Sequence, residues 1–198
     1  MDERPPDPDA QLVSEAQTAP DGDHRPFEEL VGRHQEKVVA NCRYMTRSPA
    51  DAEDLAQEVF LKAFFGLPRF GGRSTFKSWL LRIKANHCLN YIKRHADEKQ
   101  VDIDAVGADG AEELRVEPQA ESRMESTEAQ AQIVAVLDRM TDKLRVPLIL
   151  RDMDGMAYQE IADVLGVRLS AAKMRIKRAR ETFQELHREV TNPEGVGR

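Results

Sequence analysis

Two short helical patterns that meet at Gly166 constrain the fold of this 198-residue chain more than any other feature. Before the glycine, Ile161, Ala162 and Leu165 share one helical face. Gly166 suits the left-handed turn that ends a helix, because it has no Cβ to clash there. After it, apolar residues recur at three- and four-residue steps along one narrow seam: Leu169, Ala172, Ile176 and Ala179. The pattern predicts a helix-turn-helix over Ala157 to Arg180.

The second helix of this pair is strongly basic away from its apolar seam. Six Lys and Arg residues and no acid lie from Arg168 to Arg180. A solvated surface helix usually mixes both signs of charge, so a plain surface helix is the weaker interpretation. A helix held by a narrow seam, with a basic outer face, suits the major groove of DNA. The positions off the seam include Ser170, Lys173, Met174, Arg175, Lys177, Arg178 and Arg180.

The rest of the sequence predicts an all-α fold with two small helical domains. Helical periodicity covers residues 26–95 and returns over 127–190, where four helices include the helix-turn-helix. Between them, residues 96–126 carry ten acids and three bases with Gly and Pro, so we expect a flexible acidic linker. Residues 1–25 are rich in Pro and Asp without periodicity and are predicted to be disordered. Residues 191–198 form a short tail.

One helix of the first domain is predicted to start at Ser48. Ser48 can cap it and Pro49 suits its first turn. We expect its buried face to consist of Leu55, Val59, Leu61, Phe64 and Phe65. The opposite face is polar and mostly acidic, with Asp54, Gln57 and Glu58. Because acids repel DNA, this face is either plain solvent surface or a docking site for a basic protein.

The following stretch has the opposite charge and carries aromatic residues. From Val59 to Ala96 there are eight bases and no acid. Interleaved with them are Phe70, Phe76, Trp79 and Tyr91. Bases beside exposed rings suit unpaired nucleic-acid strands, on which rings stack. The alternative is that Phe76 and Trp79 belong to the core.

Two asparagines in this stretch lie on one helical face. Asn86 and Asn90 are four residues apart, and Arg94 lies one turn further on. Asparagine is unfavourable inside a helix, so the pair suggests hydrogen bonds to base edges. Two solvated asparagines are the equally weighted alternative.

Composition argues against several other classes of protein. We find no phosphate-binding glycine loop and no serine elbow, so no enzyme, catalytic residue or cofactor is predicted. Cys42, Cys88, His87 and His95 lack paired-ligand spacing, so no metal site is expected, and both cysteines are predicted to be small buried hydrophobes. No apolar run reaches the length of a membrane span, and the acidic, proline-rich start is unlike a secretory signal. A cytoplasmic protein without membrane insertion is expected.

Three blocks of the sequence together resemble the extracytoplasmic-function (ECF) sigma factors of bacterial RNA polymerase. The blocks read DAEDLAQEVFLKAF, STFKSWLLRIKANHCLNYIKR and YQEIADVLGV…KMRIKRAR, in the family's order and spacing. The resemblance implies a first domain that docks on core polymerase and opens the −10 promoter element. It implies a second domain that reads the −35 element, and an acidic linker that threads the polymerase channel later taken by RNA. A stand-alone helix-turn-helix regulator without polymerase docking is the alternative function.

The resemblance also assigns residues and partners. Asp54, Gln57 and Glu58 match the contact with the coiled coil of the polymerase β′ clamp, and the β flap and an anti-sigma factor are the other implied protein partners. The implied −10 residues are Arg73, Phe76, Lys77, Trp79, Arg82, Asn86, Asn90, Tyr91, Lys93 and Arg94. The implied −35 residues are Arg168, Ser170, Ala171, Lys173, Met174, Arg175, Lys177 and Arg178.

The recognition helix departs from the family pattern at three positions. Arg168 stands where a Ser or Thr usually caps the helix, and arginine cannot accept a backbone N–H. Either the helix starts uncapped, or Ser170 caps it and shifts its start. Ala171 and Met174 are also atypical, so an unusual −35 sequence is expected.

Overall fold

The computed structural model describes residues 7–105 and 128–192 and is all-α over those ranges, which confirms the predicted fold class. The first domain contains α1 (Ala10–Thr18), α2 (Arg25–Thr46), α3 (Pro49–Gly66), a 3-10 turn (Leu67–Arg69) and α4 (Phe76–Ala105). The second contains α5 (Glu128–Arg139), α6 (Asp142–Leu148), a π-turn (Ile149–Met153), α7 (Tyr158–Leu165) and α8 (Leu169–Thr191).

The prediction that residues 1–25 are disordered is wrong for the segment that forms α1. This helix buries Leu12 and Val13 against the first domain. Two side chains at its ends fix it in place. The amide of Phe76 donates to Asp7 at 2.7 Å, and Gln17 donates to the carbonyls of Leu67 and Phe70 at 2.8 and 2.9 Å. The helix is thus stabilised by contacts with residues far along the chain.

The predicted start of α3 agrees with the structure, whereas its predicted buried face needs correction. Ser48 accepts the amide of Asp51 at 3.3 Å, as an N-cap does. Leu55 and Val59 are buried, but Leu61 and Phe65 are 55% and 75% exposed. A helix that packs on the core with one side buries only the residues of that side. Leu61 and Phe65 fall on the opposite side of α3.

The predicted linker boundary at residue 96 is also wrong, because α4 continues to Ala105. Residues 96–105 contain neither Gly nor Pro, so nothing in the sequence stops the helix before Gly107. The rest of the predicted linker, over residues 106–127, lies outside the described residues, as do residues 1–6 and the end of the tail, 193–198.

The two domains pack directly against each other. Asp154, which follows the π-turn, lies between α2 and α4, where it contacts Lys84 and accepts a hydrogen bond from Asn41 at 2.5 Å. Arg145 of α6 donates to the carbonyl of Met45 at 2.9 Å. The apolar cores of the two domains are continuous at this junction. None of the described helices is long and apolar enough to cross a membrane.

Candidate nucleic-acid and polymerase interfaces

The helix-turn-helix forms as its sequence pattern predicts. Gly166 ends α7 in the left-handed conformation, with φ of 62°. The amide of Val167 then donates to the carbonyl of Ala162 at 3.0 Å, which closes the turn. On α8, Ala172, Ile176 and Ala179 are buried. This seam fixes α8 on the second domain and leaves its opposite side facing outward.

The start of α8 decides between the two capping alternatives. The helix begins at Leu169, with Arg168 in the N-cap position in an extended conformation and without a side-chain hydrogen bond. Ser170 lies inside the helix and does not cap it. The first amides of α8 therefore lack a side-chain acceptor, which leaves them available to an anion such as a DNA phosphate.

Most predicted −35 residues lie on the outer side of α8. Arg168, Ser170, Lys173, Met174, Lys177 and Arg178 are exposed, and Ala171 and Arg175 are half-buried. Arg180 lies off the seam but outside the predicted −35 set, and its guanidinium donates two hydrogen bonds to Asp152, at 2.9 and 2.5 Å. That hydrogen bonding raises the pKa of Arg180 further above its ordinary value. Arg180 thus ties α8 to the π-turn.

The predicted −10 face lies on α4. Arg82, Asn86, Asn90 and Lys93 are exposed and fall within one side of the helix at 100° per residue. Arg94 is exposed at the edge of this side, and Lys77 is exposed on a different side of α4. Arg73 is exposed in the loop before the helix. The structure thus brings together four of the ten predicted residues as one polar, basic surface.

The aromatic members of the −10 set do not all lie on that surface. Phe76 is completely buried and belongs to the core, so its predicted stacking on DNA is wrong. Trp79 is half-buried, and its ring contacts Phe70 at 4.9 Å between centroids and packs over Gly66. Trp79 is therefore partly occupied by contacts within the first domain.

Tyr91, also in the −10 set, connects α4 to the start of α3. Its hydroxyl donates to Asp51 at 2.5 Å, and its ring stacks on His95 with centroids 4.0 Å apart. Hydrogen bonds from Ser48 and then Tyr91 lower the pKa of the Asp51 carboxyl. The ionised carboxylate lies in the first turn of α3, where negative charge is favoured.

The acidic face of α3 is exposed and continuous with an apolar strip. Asp54, Gln57 and Glu58 are all exposed. Residues 54, 58, 61 and 65 follow one another at three- and four-residue steps, so Leu61 and Phe65 extend the same side of the helix. We call Asp54, Gln57, Glu58, Leu61 and Phe65 the α3 face. Two large exposed apolar side chains beside acids are typical of a protein-binding surface.

Glu58 is not free of intramolecular contacts. His87 of α4 lies beside it, with Nε2 3.2 Å from the Glu58 carboxylate, while the Lys62 ammonium donates to Nδ1 at 2.5 Å. Burial and the neighbouring Lys62 charge lower the pKa of His87, so its ring is neutral at neutral pH. Sequence reasoning did not identify this cluster or the pairing of Lys84 with Asp154, and it placed Leu61 and Phe65 on the buried face.

Comparison with known proteins agrees with this geometry. Residues 30–98 match the Sigma-70 region 2 family, and residues 130–183 match the Sigma-70 region 4 family. An RNA polymerase sigma-H factor of Pseudomonas aeruginosa is 32% identical over 181 residues, which cover 89% of this chain and 92% of that protein. An ECF RNA polymerase sigma-E factor of Escherichia coli K12 is 34% identical over 167 residues, which cover 82% and 86%.

Solved structures show the same helical arrangement. The sigma factor RpoE in complex with the anti-sigma factor NepR from Bartonella quintana matches with a TM-score of 0.61 and 25% identity, over 81% of this chain and 95% of that one. CnrH in complex with the cytosolic domain of CnrY matches with a TM-score of 0.58 over 90% and 96%, and at 23% identity supports the fold alone.

The fold, the order of the two domains and these matches define the class of protein: a sigma factor of the Sigma-70 type. The chain belongs to the ECF sigma factors of bacterial RNA polymerase. It is an alternative sigma factor that directs transcription initiation. The stand-alone regulator, which was the alternative at the sequence level, is wrong, because the first domain also matches a sigma region.

Proposed function

We propose that three separate surfaces divide the work of initiation in this sigma factor. The α3 face docks on the coiled coil of the polymerase β′ clamp. The exposed side of α4 reads and helps to open the −10 element, and the outer side of α8 reads the −35 element. The observation that carries this division is charge segregation: the α3 face is acidic and apolar, whereas the exposed sides of α4 and α8 are basic.

The chemistry of each surface supports its assignment. Acids repel a DNA backbone but attract a basic protein surface, and Leu61 and Phe65 supply the apolar contact that a stable protein interface contains. The uncapped start of α8 and its lysines suit phosphates, and we assign contacts with base edges to Arg175 and Met174. On α4, Asn86 and Asn90 suit base edges of a strand that is being separated.

Further partners follow from this division of work. We propose that the second domain also contacts the polymerase β flap, and that an anti-sigma factor holds this chain inactive, as expected from the complexes in which related sigma factors were solved. The chain would act in the cytoplasm, where polymerase and promoter DNA meet.

The test of this proposal is reconstitution with core polymerase. The purified chain should co-elute with core polymerase and should direct transcription from a mapped promoter that core polymerase alone does not use. A chain that neither co-elutes nor directs such transcription would overturn the proposal.

A further inference from the structure

A buried histidine of α4 lies beside the α3 face. His87 is 7% exposed, and its Nε2 lies 3.2 Å from the carboxylate of Glu58. The ammonium of Lys62, one turn after Glu58 on α3, donates to the other ring nitrogen, Nδ1, at 2.5 Å. Because a lysine ammonium only donates, Nδ1 is the acceptor, and neutral His87 carries its ring proton on Nε2, the nitrogen beside Glu58.

We propose that His87 is a positioning residue for polymerase docking: it holds Lys62 away from Glu58 and so keeps the charge of that carboxylate available to a basic partner. The inference rests on the proposed docking role of the α3 face and adds a residue of α4 to it. His87 is buried, so it acts through Glu58 and not by touching the partner.

The first argument is that Lys62 has two partners within reach. Glu58 and Lys62 are four residues apart on one helix, in the order and spacing at which Glu and Lys ordinarily pair. Here the Lys62 ammonium is 3.8 Å from the Glu58 carboxylate, which is beyond hydrogen-bond distance, while it donates to His87. The histidine therefore receives the hydrogen bond that the carboxylate would otherwise accept.

The second argument is that a neutral ring orients a carboxylate without cancelling its charge. The Nε2–H of His87 is buried beside Glu58 and has no hydrogen-bond partner among the described residues. A buried donor without an acceptor is costly, so it favours a conformation of Glu58 close to the ring. The Glu58 side chain is 58% exposed in that conformation, so its charge still faces outward.

The third argument is the charge state of His87. Burial is the main reason why the pKa of His87 lies below its ordinary value of 6.5. The charge of Lys62 on α3 lowers this pKa further, Glu58 on α3 opposes the change, and Arg94 on α4 adds to it. Protonation at acidic pH removes the Nδ1 acceptor and repels Lys62, which then pairs with Glu58. That ion pair would weaken the attraction of the α3 face for a basic partner.

The test compares variants by their affinity for core polymerase at neutral pH, measured by fluorescence anisotropy of the labelled full-length chain. His87→Leu removes the acceptor, so Lys62 should pair with Glu58 and the affinity should fall roughly fivefold. In a chain that already carries Lys62→Met, the same change at His87 should cause no such loss, because no ammonium remains to pair with Glu58. Lys62→Met alone should not weaken binding.

Two results of this comparison would overturn the inference. A purely structural role of His87 predicts equal losses with and without Lys62, and unchanged affinity of His87→Leu would show that Glu58 does not depend on the histidine. His187→Leu makes the same substitution on α8 and is the matched control, which should bind polymerase as the wild type does. Circular dichroism reports whether each variant folds.

The pH profile of binding gives a second readout that a structural role would not produce. The affinity of the unmodified chain should fall as the pH is lowered below 6.5, and it should fall more steeply than that of His87→Gln. The amide oxygen of Gln accepts from Lys62 and its NH₂ group replaces the Nε2–H, but the amide does not titrate. Identical profiles for the two chains would contradict the role of His87.

A third measurement needs neither polymerase nor a variant. NMR of the imidazole nitrogens in the unmodified chain should show the proton of neutral His87 on Nε2, and a proton on Nδ1 would exclude acceptance from Lys62 and overturn the inference. A chain with the expected tautomer that binds no polymerase would instead contradict the proposed docking of the α3 face. A chain that binds polymerase but shows equal losses with and without Lys62 would contradict the role of His87 alone.

Discussion

At the scale of single residues, the structure separates side chains with similar sequence surroundings into different roles. Lys84 and Arg82 both lie in the acid-free stretch of the first domain, but Lys84 is buried in an ion pair and Arg82 is exposed. Phe76 and Phe65 are both aromatic residues of that stretch, but one is core and the other is 75% exposed. Residue type alone therefore does not assign function here; position on the helix does.

Reversal of charge on the α3 face should weaken polymerase binding. Asp54→Lys places a cation where a basic partner is expected, so we predict a loss of affinity for core polymerase of about tenfold or more, or about 1.4 kcal/mol. Fluorescence anisotropy of the labelled chain, titrated with core polymerase, measures this change.

Glu53→Lys provides the matched control for that experiment. Glu53 is also exposed on α3 but points about 100° away from Asp54, so the same change of charge should have little effect. Equal losses in the two variants would show that net charge, and not the α3 face, determines binding.

A second residue-level prediction concerns the anchoring of α1. Gln17→Ala removes hydrogen bonds to the carbonyls of Leu67 and Phe70, so the free energy of unfolding should fall by about 1–2 kcal/mol. Gln11→Ala, on the same helix, removes only an exposed contact with Glu15 and should change it by less than about 0.5 kcal/mol. Urea denaturation of both variants measures the difference, and indistinguishable midpoints would contradict the anchoring role.

At the scale of elements, α3, α4 and α8 each present one side to the core and a chemically distinct side outward. α8 buries its alanine-rich seam and exposes lysines and arginines, while α3 buries Leu55 and Val59 and exposes acids. α4 fits the same scheme, with Phe76, Leu80 and Cys88 buried and its asparagines exposed.

The exposed side of α4 should act in strand separation more than in duplex binding. Asn86→Ala combined with Asn90→Ala should slow promoter opening at least tenfold, while the affinity of the holoenzyme for closed promoter DNA stays within about twofold. A fluorescent base analogue in the −10 element reports opening. A promoter with a pre-melted −10 element should restore the rate, and failure to restore it would indicate a different role for α4.

Local signals in the sequence predicted the elements better than the contacts between them. Ser48, Gly166 and the seam of α8 act within a few residues, so their roles were readable from spacing. By contrast, Lys84 and Asp154 are 70 residues apart, and nothing near either one marks it as buried. The same holds for α1, because Asp7, just before this helix, accepts a hydrogen bond from Phe76 at a separation of 69 residues. Leu61 and Phe65 were misplaced because they are apolar but lie on the side of α3 opposite its core stripe.

At the scale of the whole molecule, the chain joins two DNA-reading domains that must act at separate places on one promoter. The acidic α3 face is exposed, while the two domains contact each other through the buried pair of Lys84 and Asp154.

The most direct measurement of the central claim is site-specific photocrosslinking on one promoter. A photoreactive residue in place of Met174, which is 50% exposed on α8, and another in place of Asn90, on the exposed side of α4, would each be incorporated into holoenzyme bound to a mapped promoter. We predict that position 174 crosslinks near −35 and position 90 near −10. Crosslinks from both positions to the same element, or in the reverse order, would contradict the assignment of the two surfaces.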